Sequence, residues 1–428
     1  MPSSYAVRTL VFGNGERFPI LVNRAIGEPL FEPTIYSLTM LRAGNRASNT
    51  IEQTLRSILV FLVFLDLRRI DLDARMRQGK VLQIGEIDDL VRLCRLPVEQ
   101  LLKLRNEQTN DQVVRIGSIE KFRMRRQAAA QPKVLSATSG NRIHVISKYI
   151  EWLVLGRLSR KDVAGALHAA LASAGQQTKN ALTARVPSTG GRNTIGQREG
   201  LAPEVMARLR EVIAPESPDN PWISDHAKKR NELAIRWIFE LGLRRGELLN
   251  IKVDPDINFT REEVTIARRA DDPEDPRRNQ PRVKTRDRKL PLSRELCAMT
   301  NHYVIKVRSK LSGARKHAFL FVADKTGKPL SMSALNKSFV VLRKKCPGLP
   351  DTLSPHVGRH SWNDGFSKTM DEQRISEADE KKLRSYQMGW SETSGTAAIY
   401  TRRHTREKAQ KVSLKMQADQ AKGVKNDE

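Results

Sequence analysis

Ser354-Pro355-His356-Val357-Gly358-Arg359-His360-Ser361-Trp362 is the stretch on which the reading of this 428-residue chain turns. Proline suits the first turn of a helix, where its missing N–H costs nothing. A helix starting there sets His356 and His360 on one face a turn apart, with Arg359 alongside. Two imidazoles at that spacing also resemble a zinc-binding helix. However, Val357 stands where a zinc protease needs glutamate, Arg359 would repel a cation, and no acidic ligand follows nearby. The other reading is an anion clamp, because a guanidinium offers a planar fork of donors that matches phosphate oxygens and keeps its charge.

Composition favours the clamp. Lys and Arg total 75 against 48 for Asp and Glu, a formal net charge of +27. Such an imbalance points to a polyanionic partner, usually nucleic acid. The longest apolar run, Ile58 to Leu65, is too short to span a bilayer, and the first residues lack a signal-peptide pattern. The cysteines (Cys94, Cys297 and Cys346) show no metal-ligand spacing, and their odd number speaks against a disulfide framework. A cytoplasmic, nucleic-acid-binding protein without membrane association is the expected class.

The length allows two or three domains. Short extended pieces are expected at Ala6 to Phe12 and Phe18 to Val22. Ser48 to Leu67 has helical periodicity, with Ile51, Leu55, Ile58, Leu62 and Leu65 at three- and four-residue steps. Ile87 to Asn106 repeats it, divided at Pro97, and Asn141 to Leu158 forms a further amphipathic helix. Between them lies a basic cluster, Lys121, Arg123, Arg125 and Arg126. Residues 172–202, rich in Ser, Gly and Gln and carrying Lys179, Arg185, Arg192 and Arg198, are expected as a flexible basic linker, a solvated tether or a segment lying along phosphates. Helices follow at Pro203 to Ile213, Lys228 to Leu243, Arg294 to Leu311 and Ser331 to Lys345. Strands are expected at Val264 to Arg268, Pro281 to Leu292 and Phe319 to Val322, with a Pro- and Asp-rich insert at Ala270 to Gln280.

Three further segments carry chemistry. In Leu241-Gly242-Leu243-Arg244-Arg245-Gly246-Glu247-Leu248, Arg244 sits at a helix junction near the core, with Glu247 as its natural partner. In Val283-Lys284-Thr285-Arg286-Asp287-Arg288-Lys289-Leu290, two short strands flanking a charged turn would put Lys284 near a mobile hairpin tip. There it could donate a proton to a leaving alkoxide or simply anchor a phosphate. In Met388 to Thr401, a Gly389-Trp390 turn leads to Tyr400, followed by Arg402 and Arg403.

Taken in order, Gly-Leu-Arg, a lysine, His-x-x-Arg-His, Gly-Trp and a late tyrosine resemble the catalytic domain of the tyrosine recombinase, or phage integrase, family over roughly 203–410. The resemblance implies a mainly α fold, with a helical core-binding domain at 36–171 and an α+β catalytic domain holding a small antiparallel sheet. Residues 1–35 are an N-terminal extension, an arm-site element or a subunit contact, and 411–428 a basic tail that docks on a neighbouring subunit or on its own domain.

The resemblance also assigns roles. Arg244 and Arg359 clamp the scissile phosphate, His356 bonds it and helps accept the tyrosine proton, Lys284 protonates the departing 5′ oxygen, and Tyr400 attacks to form a 3′-phosphotyrosyl bond. Trp390 is a donor and packing residue, while Glu247 and His360 support the others. Lys121, Arg123, Arg125, Arg126, Arg402 and Arg403 are candidate DNA contacts. The implied partners are double-stranded DNA and a homotetramer on two sites, with no metal or other cofactor. A type IB topoisomerase and a catalytically silent DNA-binding protein are the rivals. The chain departs from the family's usual pattern in having tryptophan where histidine is common, in a Trp390-to-Tyr400 interval one residue longer than usual, and in the insert before Lys284. Tyr386, on the wrong side of the Gly-Trp turn, is the distant second nucleophile.

Overall fold

The computed structural model describes residues 5–110, 133–188, 199–391 and 402–423. Two compact units emerge: Met1–Phe12 with Arg17–Thr194, and Ile195–Glu428 with Gly13–Glu16.

In the first unit, β1 (Tyr5–Val11) and β2 (Arg17–Asn23) form an antiparallel hairpin, with Tyr5 opposite Asn23 and Val11 opposite Arg17. Phe18, Ile20, Leu21 and Val22 are buried in the same core as the helices, so this part of the N-terminal segment belongs to the unit. After a short helix α1 (Phe31–Tyr36), α2 (Ser48–Arg68) supplies the centre of that core. Ile51, Leu55 and Ile58 are buried as their spacing implies, joined by Leu59, Val60, Phe61, Val63 and Phe64. Leu62 and Leu65 lie at the margin. The helix ends where Arg69 turns left-handed, at φ 52°.

Helices α3 (Leu72–Arg77), α4 (Ile84–Cys94) and α5 (Val98–Asn110) follow, with the break at Pro97 where it was expected. A reciprocal Gln83–Glu86 cap begins α4. Next come α6 (Ser136–Leu158) and α7 (Gly165–Ala184). Residues 172–184 are therefore helix and not linker. Leu171, Gly175, Thr178 and Leu182 fall on one buried face at helical spacing, and the polar residues that suggested flexibility occupy the other face. The rest of that expected linker lies in 185–188 and 199–202, plus residues outside the description. Lys121, Arg123, Arg125 and Arg126 also lie outside the described residues.

In the second unit, α8 (Pro203–Ile213) precedes the central helix α9 (Asp225–Leu241), which Ser224 caps by accepting from the Ala227 N–H at 3.1 Å. Leu233, Ala234, Trp237 and Ile238 of α9 are fully buried. Trp237 also donates its indole N–H to Thr300 Oγ1 at 3.0 Å. Trp237→Ala is expected to cost about 3–5 kcal/mol of unfolding free energy in a urea titration, the range for truncating a buried aromatic.

A short helix α10 (Arg245–Leu248) leads to a three-stranded antiparallel sheet of β3 (Ile257–Asn258), β4 (Glu263–Ile266) and β5 (Arg288–Pro291), in that order. Val264 pairs with Leu290 and Ile266 with Arg288. The expected strand at Pro281–Leu292 thus shrinks to its last part. Phe319–Val322 makes only isolated bridges, Lys252 to Phe319 and Val322 to Pro329. The insert Ala270–Gln280 is folded inward by charge pairing. Arg277 grips Asp275, donates to the Leu249 and Leu330 carbonyls and lies 4.4 Å over Phe319, while Lys252 pairs with Asp272 at 2.9 Å and Glu274 at 2.7 Å. Helices α11 (Arg294–His302), α12 (Met332–Lys345), α13 (Pro355–Glu372), α14 (Glu377–Met388) and α15 (Arg402–Gly423) complete the unit. The fold is mainly helical with small antiparallel sheets. Among the described residues no helix is long and apolar enough to cross a membrane.

Candidate active site

The site is built around Glu247, a carboxylate whose side chain is fully buried. Helix α9 ends at Gly242 in the left-handed conformation (φ 62°), where a Cβ would meet Met388 and Trp362 at 2.8–2.9 Å. The chain then turns through the buried Leu243 to Arg244, the residue that opens α10. Glu247 reaches back to accept the Arg244 backbone N–H at 3.0 Å and Nη1 at 3.3 Å. It also accepts from Thr285 Oγ1 at 2.8 Å and Arg288 Nη2 at 3.0 Å, and lies 3.7 Å from Arg359 Nη1. Burial alone would raise its pKa, but Arg288, Arg359 and Arg244 together hold it below the ordinary carboxylate value.

An open cavity of about 560 Å³ is lined by Arg244, Arg268, Lys284, Thr285, Arg286, Asp287, Gly389, Trp390 and Ser391. The structure therefore brings Arg244, Lys284 and Trp390, three of the residues singled out in the sequence, to one cavity. Lys284 is exposed, but it does not ride a mobile hairpin tip. The three residues after it are each anchored: Thr285 to Glu247, the Arg286 N–H to the Gly389 carbonyl at 3.0 Å, and Asp287 to the Arg268 N–H at 2.7 Å. The opposite wall is the turn after α14. Gly389 is left-handed (φ 65°), and a Cβ there would meet Thr285 Cβ at 2.8 Å and the Arg286 carbonyl at 2.9 Å. Only glycine fits this approach between the turn and the lysine loop.

Arg359 is placed differently from a direct phosphate clamp. It is fully buried, donating to the Gly242 carbonyl at 2.8 Å and the Met388 carbonyl at 3.3 Å, with its guanidinium 5.2 Å over the Trp390 ring. The two expected clamp arginines are thus one facing the cavity, with 26% of its side chain exposed, and one behind its wall. His356 is exposed on the first turn of α13, its ring edge-on to that of the buried His360 with centroids 4.9 Å apart. Among the described residues no group of His, Cys, Asp and Glu is arranged to hold a metal ion.

Tyr400 lies outside the described residues. Arg402 and Arg403 begin α15. That helix meets its own unit through Lys408, 3.0 Å from Asp371, and Arg406, 2.5 Å from Glu199, while Val412, Leu414 and Met416 are exposed. Tyr386, on α14, is 62% exposed.

Sequence reasoning missed Arg268, Arg286 and Arg288. For Arg286 and Arg288 the only signal was the density of basic residues from Arg282 to Lys289, which does not tell lining from core.

Among solved structures, the chain is similar to XerA recombinase, with 18% identity over 60% of this chain and 77% of that one and a TM-score of 0.34. It is also similar to XerH site-specific recombinase bound to palindromic difH substrate in a post-cleavage complex, with 15% identity over 78% and 84% of the two chains and a TM-score of 0.44. No curated protein matches it. The phage integrase family model matches residues 212–407, a span that holds Glu247, the cavity residues, His356, Arg359 and Tyr400. Residues 212–407 belong to the phage integrase family, that of the tyrosine recombinases.

Proposed function

We propose that this protein is a site-specific DNA recombinase that breaks and rejoins strands through a 3′-phosphotyrosyl bond at Tyr400, in the integration, excision or transposition of a mobile element. The observation that carries this reading is the cavity into which three separate chain segments bring Arg244, Lys284 and Trp390 around one buried carboxylate.

In this reading a scissile phosphate enters the cavity and meets Arg244. The Tyr400 oxygen attacks phosphorus while His356 takes up the phenolic proton. The bond from phosphorus to the 5′ oxygen breaks, and Lys284 protonates that oxygen. A second strand's 5′ hydroxyl later reverses the step, so the phosphodiester energy is retained and no nucleotide or metal is consumed. Arg359 acts from behind the wall, fixing Trp390 and the Gly242 and Met388 carbonyls, and its charge adds to the field at the phosphate. The net charge of +27 supplies attraction to duplex DNA, and two sites paired by four copies of the chain would complete an exchange. The first unit would serve as the core-binding domain, with the basic residues 121–126 as its phosphate contacts.

The test begins by capturing duplexes covalently from a random-sequence pool, then placing two copies of the recovered site on one plasmid. Recombinant circles are the expected product. Relaxation without exchange would make the protein a topoisomerase, and duplex binding without covalent capture would make it a silent DNA-binding protein.

A further inference from the structure

Strand alternation puts Arg288 on the same inward face of β5 as Leu290, leaving 1% of its side chain exposed. A guanidinium so buried needs partners in each direction of its fork. It has them: Nε donates to the Gln387 carbonyl at 2.7 Å, Nη1 to Thr285 Oγ1 at 3.0 Å, and Nη2 to Glu247 Oε2 at 3.0 Å. These partners belong to the three segments that bring Arg244, Lys284 and Trp390 to the cavity. Thr285 follows Lys284, Glu247 holds Arg244, and Gln387 stands just before the Gly389-Trp390 turn.

Two consequences follow from this geometry. The Thr285 hydroxyl accepts from Arg288 and donates to Glu247 Oε1, which sets the backbone from which Lys284 projects. Because Arg288 and the Arg244 backbone N–H both take Glu247 Oε2, the carboxylate meets the Arg244 guanidinium through the other oxygen alone, at 3.3 Å, and not as a fork-to-fork pair. Without Arg288, Oε2 would lose its guanidinium donor at 3.0 Å and be freer to join Oε1 on the Arg244 guanidinium, whose donors a phosphate also needs.

We infer that Arg288 is a positioning residue of the strand-cleavage site, aiming Lys284 into the cavity through Thr285 and keeping Glu247 from a bidentate pair with Arg244. This rests on the proposed role of Lys284 as the acid that protonates the 5′ oxygen.

The test compares two forms of the duplex recovered by covalent capture, one ordinary and one with sulfur as the 5′ bridging atom of the cleaved phosphate. A thiol ionises near pH 8.5 or so, so a sulfur leaving group departs as thiolate without an acid. Rates of covalent adduct formation are measured for the wild type, Lys284→Ala, Arg288→Met and Thr285→Val. Lys284→Ala is expected to lose roughly 10²–10⁴-fold on the oxygen duplex and to recover most of that on sulfur.

Arg288→Met should lower the oxygen-to-sulfur rate ratio by about tenfold or more, part of the effect of losing the acid. Thr285→Val should shift it in the same direction by a smaller factor. Should Arg288→Met fail to fold, Thr285→Val decides alone, since it keeps the shape of residue 285 and leaves Arg288 in place. Equal slowing on both duplexes, or wild-type rates on both, in the Arg288 and Thr285 variants would overturn the inference while leaving the role of Lys284 intact. A Lys284→Ala enzyme slowed equally on both would overturn that role, and the inference with it.

Discussion

Glu247→Gln should lower the unfolding free energy of the second unit by about 3–5 kcal/mol, the cost of leaving buried charge unpaired. Arg288 and Arg359 have 1% and 0% of their side chains exposed, so neither can turn to water when the carboxylate is gone. Glutamine keeps the volume and one acceptor oxygen but no charge, leaving two buried guanidiniums to repel each other. The same substitution should abolish strand cleavage, because Arg244, Thr285 and Arg288 all take their placement from this group.

The effect has a pH signature. The carboxyl of Glu247 is held below its ordinary value in the folded protein, so its stabilisation is complete above the unfolded pKa, near 4.3 or so. That stabilisation is lost as the pH falls through the lower folded value. Thermal melts of the wild type and Glu247→Gln should therefore differ most near neutrality and converge as the pH falls below the unfolded carboxylate value and through the lower folded one. A constant difference across that range would mean that Glu247 takes up its proton at the same pH in the folded and unfolded chain.

Tyr400→Phe should reduce covalent DNA attachment by at least roughly 10⁴-fold, since the substitution removes the oxygen proposed to attack and leaves no substitute at that position. Binding to the same duplex should weaken by no more than about tenfold, the worth of one hydrogen bond. This separates a nucleophile from a packing tyrosine, whose loss would reduce binding or folding along with cleavage. The readouts are a denaturing gel for the adduct and a mobility shift for binding.

How much of this was legible beforehand follows from what each signal encodes. Apolar periodicity found α8 to the residue, as well as α2, α9 and the break at Pro97, because each of those helices buries a stripe of Leu, Ile and Val. It missed α7, whose buried face includes Gly175 and Thr178. The small glycine allows close approach to Val154, which composition reads as flexibility. The insert at 270–280 was legible only as a Pro- and Asp-rich interruption, because some of its acids pair with a base distant in sequence. Lys252 is the clearest case, and no local pattern records such a partner.

The same limit applies to the site. Arg244, Lys284 and Trp390 came from motif order, and they share one cavity. Arg288 looked like one more charge on a basic turn. It is a core residue only because strand pairing opposite Ile266 points it at Glu247. The depth of Arg359 likewise depends on the Gly242 and Met388 carbonyls, which come from opposite ends of the unit's sequence.

The central claim is that DNA becomes joined to Tyr400. It is tested most directly by trapping the adduct on a nicked duplex carrying the captured site, digesting both polymers, and locating the nucleotide-bearing peptide by mass spectrometry. The account predicts a 3′-phosphonucleotide on Tyr400. A nucleotide on Tyr386 or another side chain, or unmodified peptides throughout from protein that binds the duplex, would contradict it.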